Sequence, residues 1–198
     1  RVAEAPLMPL HWLRTPNIIL PIAIQSLINF AYMGGFIVVP QMLERGLGYS
    51  ASHVGWLIIA RPLTFSITAP LASFFTMRAG ERKSGVIGAC AVIASMLILS
   101  SLASGSSDLL VVLGLGLSGI GFGIAAPALT ALVANAVDDE TIGVAGAMQQ
   151  LLSQMGAVLG STVMISVHEM TVGSTTVVRS YGIALLFGAG TATVAALL

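Results

Sequence analysis

Apolar runs long enough to cross a lipid bilayer follow one another along almost the whole chain, separated by short polar breaks. A hydrocarbon core about 30 Å thick needs roughly 20 predominantly apolar residues per helix. Six stretches meet that length: 17–42, 52–76, 84–104, 109–136, 141–167 and 179–198. The pattern predicts an all-α membrane protein, with an interfacial lead-in over 1–16 and a six-helix transmembrane bundle over 17–198. Even the longest connection, 168–178, is brief, so consecutive helices are expected to be antiparallel neighbours.

Polar residues inside these runs repeat at helical spacing. In the first stretch Gln25, Asn29 and Tyr32 are four and three apart and share one face; Pro21 and Gly34-Gly35 predict a bend. The second, capped by Ser50 or Ser52, carries Arg61 about nine residues from its start, roughly 14 Å deep. An arginine there costs at least about 2.5–3.5 kcal/mol, so it must face a partner or water. Two readings fit Arg61: a cavity cation for an acidic group or anionic substrate, or a structural group bonded to helix carbonyls. The fifth stretch holds Gln149, Gln150, Ser153 and Gln154, which either face a wet cavity or bond helix to helix.

Small residues add a second pattern. Gly119 and Gly123 in the fourth stretch, and Gly156 and Gly160 in the fifth, form small-xxx-small pairs where backbones can approach closely. Pro127 marks an expected kink. The third and sixth stretches carry little beyond Cys90 and small hydroxyls, so they are expected outside, facing lipid, with the other four lining the interior.

Charge sets the orientation. The segment MRAGERKSG at 77–85 concentrates Arg78, Glu81, Arg82 and Lys83 and reads as a loop turning at Gly80. Loops rich in Lys and Arg stay cytoplasmic; with this one inside, Arg1, Arg14, Arg78, Arg82 and Lys83 are cytoplasmic, and Arg45 and Arg179 are external. Both ends of the segment then face the cytoplasm.

Composition agrees: 56% of residues are apolar and 8% charged, with mean hydropathy +0.97, against about 25% charged in soluble domains. Net charge is zero, which leaves no basic surface for nucleic acid. Cys90 reads as a buried inert thiol, Trp12 and Trp56 as headgroup anchors, and His11, His53 and His168 as solvated residues near helix ends. None of the histidines has metal-ligand spacing, and nothing pairs a nucleophile with a base, so the sequence predicts neither a metal site nor an enzyme. The chain starts without methionine and stops inside an apolar run, as expected of part of a longer protein.

Several stretches resemble the major facilitator superfamily, specifically the carboxy-terminal half of EmrB/QacA-type drug:proton antiporters with fourteen spans. These are LHWLRTPN at 10–17, QMLERGLGYSASHVGWL at 41–57, the glycine-rich helix with Pro127, and GVAGAMQQLLSQMGAVLGS at 143–161. The 77–83 segment is similar to the superfamily's D-R-x-G-R-K motif through Arg78, Gly80, Arg82 and Lys83. It departs from it at Ser73, Met77 and Glu81. The resemblance implies two inverted three-helix repeats, a missing amino-terminal half, and a bacterial inner-membrane location. It also implies proton-coupled efflux of amphipathic or hydrophobic compounds by alternating access, without a cofactor. A lipid exporter of the same fold and a non-transporting membrane scaffold are the alternatives. No Asp, Glu or His lies mid-helix, so a proton carrier is expected in the other half.

Overall fold

The computed structural model describes residue 12 and residues 14–198, with backbone alone at 73 and 75. Most of the lead-in expected over 1–16, with Arg1 and His11, therefore lies outside the described residues. The main helices are α1 (Pro16–Gln41), α2 (Ala51–Ile58), α3 (Ala60–Ala79), α4 (Glu81–Ser100), α5 (Asp108–Ala134), α6 (Ile142–Val172) and α7 (Val177–Leu197). Among the described residues six spans are long and apolar enough to cross a membrane, α2 and α3 together making the second. The all-α, six-span architecture expected from the hydrophobic pattern is the one observed.

Local chemistry explains where the helices start and break. Ser50 is the cap of α2, its hydroxyl accepting from the His53 N–H at 3.3 Å. The second span breaks at Ile59 because Pro62 has no N–H to give the Ile58 carbonyl; the ladder resumes with Leu63 N–H donating to Ile59 at 3.1 Å. By contrast α1 runs unbroken through Pro21 and Gly34-Gly35, and α5 through Pro127. Gly34 and Gly35 instead make room for Met164 and Met96.

The basic segment at 77–83 is not a loop. Gly80 alone leaves helical geometry, at φ +86°, with Arg78 in the last turn of α3 and Glu81 in the first turn of α4. Glu81 at an amino end and Arg78 at a carboxyl end each complement the local helix dipole. Glu81 also accepts from Asn135 Nδ2 at 2.7 Å, tying this junction to the end of α5.

Among consecutive spans only the third and fourth are main packing partners, whereas every span was expected to neighbour the next. The first span packs on the fifth, the second on the fourth, the third on the fourth and sixth, and the sixth returns to the first. Exchanging spans one, two and three with four, five and six leaves this set of contacts unchanged. Because spans one and four cross in opposite directions, that is the signature of an inverted repeat.

Glycines set the close contacts. A Cβ at Gly156 or Gly160 would collide with the Ser26 and Phe30 carbonyls of α1, and one at Gly119 with the Arg61 carbonyl of α3. Gly123 faces Thr68 in the same α3–α5 seam.

The core lies between α1, α4, α5 and α7, around Ile28, Val38, Met96, Leu99, Leu115, Met164 and Leu185. A smaller cluster seals the other end, where Trp12 packs with Ile18, Ile22, Val133 and Met148. Trp12 is buried there and is no headgroup anchor. Cys90, expected to be buried, is exposed on the outer face of α4. The second and fifth spans are the least enclosed, with 17% and 33% of their apolar windows buried. They present Leu63, Ile67 and Leu71, and Leu151, Met155 and Leu159, to the outside.

Candidate functional site

A cleft of about 690 Å³ opens between α1, α3, α5 and α6, with no residue from α4 or α7. Its polar wall is Gln25, Asn29, Thr130, Gln150, Ser153 and Gln154, and its apolar wall includes Met33, Phe65, Phe122 and Pro127. Among the described residues no charged one lines it.

The polar residues marked by the sequence divide into two sets. Gln149 and Ser153 turn towards α1 and are buried, whereas Gln150 and Gln154, one residue further round, are exposed. Gln149 Nε2 donates to Gln25 Oε1, and to Thr130 Oγ1 at 3.3 Å. One turn along, Asn29 Nδ2 donates to the Ser153 carbonyl at 2.9 Å and its hydroxyl at 3.0 Å. These two rungs staple α1 to α6, where Gly156 and Gly160 allow the backbones to meet. The Ser153 carbonyl can only accept, so it fixes the Asn29 amide group opposite it as the donor. Asn29 Oδ1 is thereby left without a partner among the described residues, although Asn29 is only 4% exposed. Such an orphan acceptor at a cleft wall is satisfied by water or by a ligand donor.

Arg61 and Tyr32 do not line the cleft. Arg61 is 1% exposed, held by Nε donating to Ser118 Oγ at 2.8 Å and Nη1 donating to the Tyr32 carbonyl at 3.1 Å. Its guanidinium stacks 5.0 Å from the Tyr32 ring centroid. Tyr32 in turn stacks on Phe122 at 4.4 Å, and Phe122 leans on Phe65 at 5.9 Å. Arg61 therefore stands behind the aromatic wall. Its Nη2 has no hydrogen-bond partner among the described residues.

Arg78, Gly80, Arg82 and Lys83 sit at the α3–α4 junction and take no part in the cleft.

Three features lay outside the sequence reading. Phe122, Ala126 and Thr130 fall on one helical face at spacing four, a signal that glycine content obscured. His53, expected to be solvated, pairs with Asp108 at 2.8 Å and stacks on Tyr49, whose hydroxyl donates to the same carboxylate at 3.0 Å. His168, also expected in solvent, is buried, bonds Ser180 Oγ at 2.8 Å and stacks on Tyr181. The reason is that α6 continues to Val172, past the expected end at 167, which keeps His168 against α7.

The sequence profile of the Major Facilitator Superfamily matches residues 22–198. The chain belongs to the major facilitator superfamily. Within that superfamily it is 29% identical over 167 residues to the multidrug resistance protein Stp of Mycobacterium tuberculosis, covering 84% of this chain and 31% of that protein. It is 29% identical over 167 residues to the tetracenomycin C resistance and export protein of Streptomyces glaucescens, covering 82% and 30%. With the multidrug transporter protein MdtP of Bacillus subtilis the identity is 21% over 172 residues, covering 87% and 32%. The chain thus spans about a third of the length of the curated relatives it matches. It is a multi-pass membrane protein of a transporter family with bacterial export relatives.

Proposed function

We propose that this chain is the carboxy-terminal half of a fourteen-span secondary transporter of the bacterial inner membrane. In this reading it exports amphipathic drugs or other hydrophobic compounds by alternating access, driven by the proton gradient and needing no cofactor. The observation that carries the proposal is the cleft: uncharged, about 690 Å³, with amides and a hydroxyl on one wall and aromatic side chains on the other. Such a surface holds bulky cargo by area burial and a few hydrogen bonds. The names of the relatives, multidrug resistance and tetracenomycin export, point to the same cargo class.

The amino-terminal half would dock on the exposed apolar faces of α3 and α6, which flank the cleft. Rocking of the two halves would then expose the cleft to each side in turn. The proton carrier would lie in that half; the absence of Asp, Glu and His from the cleft among the described residues supports this. The five-to-two distribution of basic residues supports a cytoplasmic position for both ends of the segment.

The test uses the full-length protein in proteoliposomes with a fluorescent amphipathic dye. Dye movement should follow an imposed pH gradient, stop with a protonophore, and slow markedly in Gln150→Leu/Gln154→Leu. Movement indifferent to the gradient and to these substitutions overturns the reading. A lipid exporter would instead flip labelled phospholipid under the same gradient, and a scaffold would move neither.

A further inference from the structure

Away from the cleft, the structure brings together the two basic residues that depart from the positive-inside distribution. Arg45 sits in the π-helical turn Met42–Gly46 that ends the first span, and Arg179 in the first turn of α7. From opposite ends of the sequence, they line one cavity of about 740 Å³. Both are exposed, and among the described residues neither has a carboxylate within 4 Å. The cavity is amphipathic along its length. Arg179, Ile183 and Leu186 fall at i, i+4 and i+7 on one face of α7, so an apolar wall runs roughly 10 Å from the charged end. Gly182 packs against the Ser100 carbonyl of α4 and forms part of the lining, and Ser104 adds a hydroxyl at the charged end.

We propose that this groove binds an anionic phospholipid, its phosphodiester held between Arg45 and Arg179 and an acyl chain lying along Ile183 and Leu186. Two guanidiniums with no carboxylate within 4 Å among the described residues suit a phosphate. Their place at the span ends, with hydrocarbon-facing side chains one and two turns deeper, matches how a lipid straddles the interface. A free phosphate would use the arginines but leave the apolar wall idle. The side of the membrane is the one opposite the Arg78–Lys83 junction.

The experiment is native mass spectrometry of the full-length protein in detergent, titrated with phosphatidylglycerol, phosphatidylcholine of the same chains, or inorganic phosphate. A preference for phosphatidylglycerol is expected. The affinity of this site should fall about thirtyfold in Arg45→Gln/Arg179→Gln, about fivefold per arginine, the worth of a basic residue at an anionic surface. Arg45→Lys/Arg179→Lys should retain most of it, and thermal melting checks that each variant is folded. Leu186→Gln, at an exposed position, tests the wall independently of the charges: the preference for long over short acyl chains should shrink. Unchanged phosphatidylglycerol binding in the double Gln variant overturns the site. Phosphate binding as tightly as the lipid, or chain-length dependence untouched by Leu186→Gln, shows a free-anion site and overturns the lipid.

Discussion

Replacing Arg61 with methionine is the most discriminating perturbation of the buried cation. An arginine at mid-membrane costs about 2.5–3.5 kcal/mol. Against this stand two interhelical hydrogen bonds, about 0.6–1.7 kcal/mol each, and a stack on Tyr32 worth about 0.5–2 kcal/mol. The opposing terms nearly cancel. Removing the guanidinium also strands no partner: the Ser118 hydroxyl still donates to the Leu115 carbonyl at 2.6 Å, and the Tyr32 carbonyl stays within the α1 ladder. Arg61→Met, which keeps the side-chain volume, should therefore change stability by no more than about 1 kcal/mol. Arg61→Ala leaves a cavity and should lose about 2–4 kcal/mol. Equilibrium unfolding in mixed micelles measures both. A loss above about 2 kcal/mol in the methionine variant would refute the reasoning and reveal an anionic partner for Nη2. Dye transport by the same variant in proteoliposomes answers a separate question, since normal transport ends any role for Arg61 in the proposed cycle.

Three further predictions concern the packing and the Tyr49–His53–Asp108 cluster. Single cysteines at 150 and 154 should react readily with a water-soluble thiol reagent and one at 149 should not, because Gln149 alone of the three is turned into the α1–α6 seam; equal reactivity refutes the division of that face. Gly160→Ala drives a Cβ into the Phe30 carbonyl oxygen, closer still than the carbonyl carbon and Cα at 2.7 Å, so the helices must part by at least about 0.7 Å and the 2.9 Å Asn29–Ser153 bond is lost. The expected destabilisation is about 1–3 kcal/mol, and a variant as stable as the parent would show that the seam is looser than described. Burial first, then the hydrogen bond and charge of Asp108, raise the Tyr49 hydroxyl above its ordinary value of 10.0. Its contribution to stability is therefore complete below that ordinary value and is lost as pH rises through the higher folded one. Ultraviolet difference titration against Tyr49→Phe should find the ionisation of this residue displaced above the ordinary value, and normal titration refutes the coupling.

The spans and their approximate ends were legible because hydrocarbon imposes length and composition on a helix, a constraint that needs no tertiary knowledge. The spacing of Gln149, Gln150, Ser153 and Gln154 marked a polar face. It could not say which members face a neighbouring helix, since adjacent residues differ by only 100° around the axis. Arg61 was legible as an anomaly, but its partners, Ser118 and the Tyr32 carbonyl, are ordinary residues on other helices that no local pattern marks. The 77–83 segment was misread because charge density alone suggests a loop, whereas the positive φ of Gly80 reverses the chain within a single residue. The Tyr49–His53–Asp108 cluster was invisible for a different reason: it joins two connections far apart in sequence. The order in which helices pack was legible only in part: the short connection between the third and fourth spans joins close neighbours, but the first span packs on the fifth and the second on the fourth.

The uncharged wall of the cleft bears on voltage. Moving one elementary charge through a potential of 100 mV involves about 2.3 kcal/mol, and among the described residues the cleft surface carries none to move. Under the proposed cycle, the membrane potential would act on this half through the net charge of the passenger and through Arg61, sealed behind the aromatic wall. Neutral cargo would leave the electrical work of each turnover to the ions counted in the companion half.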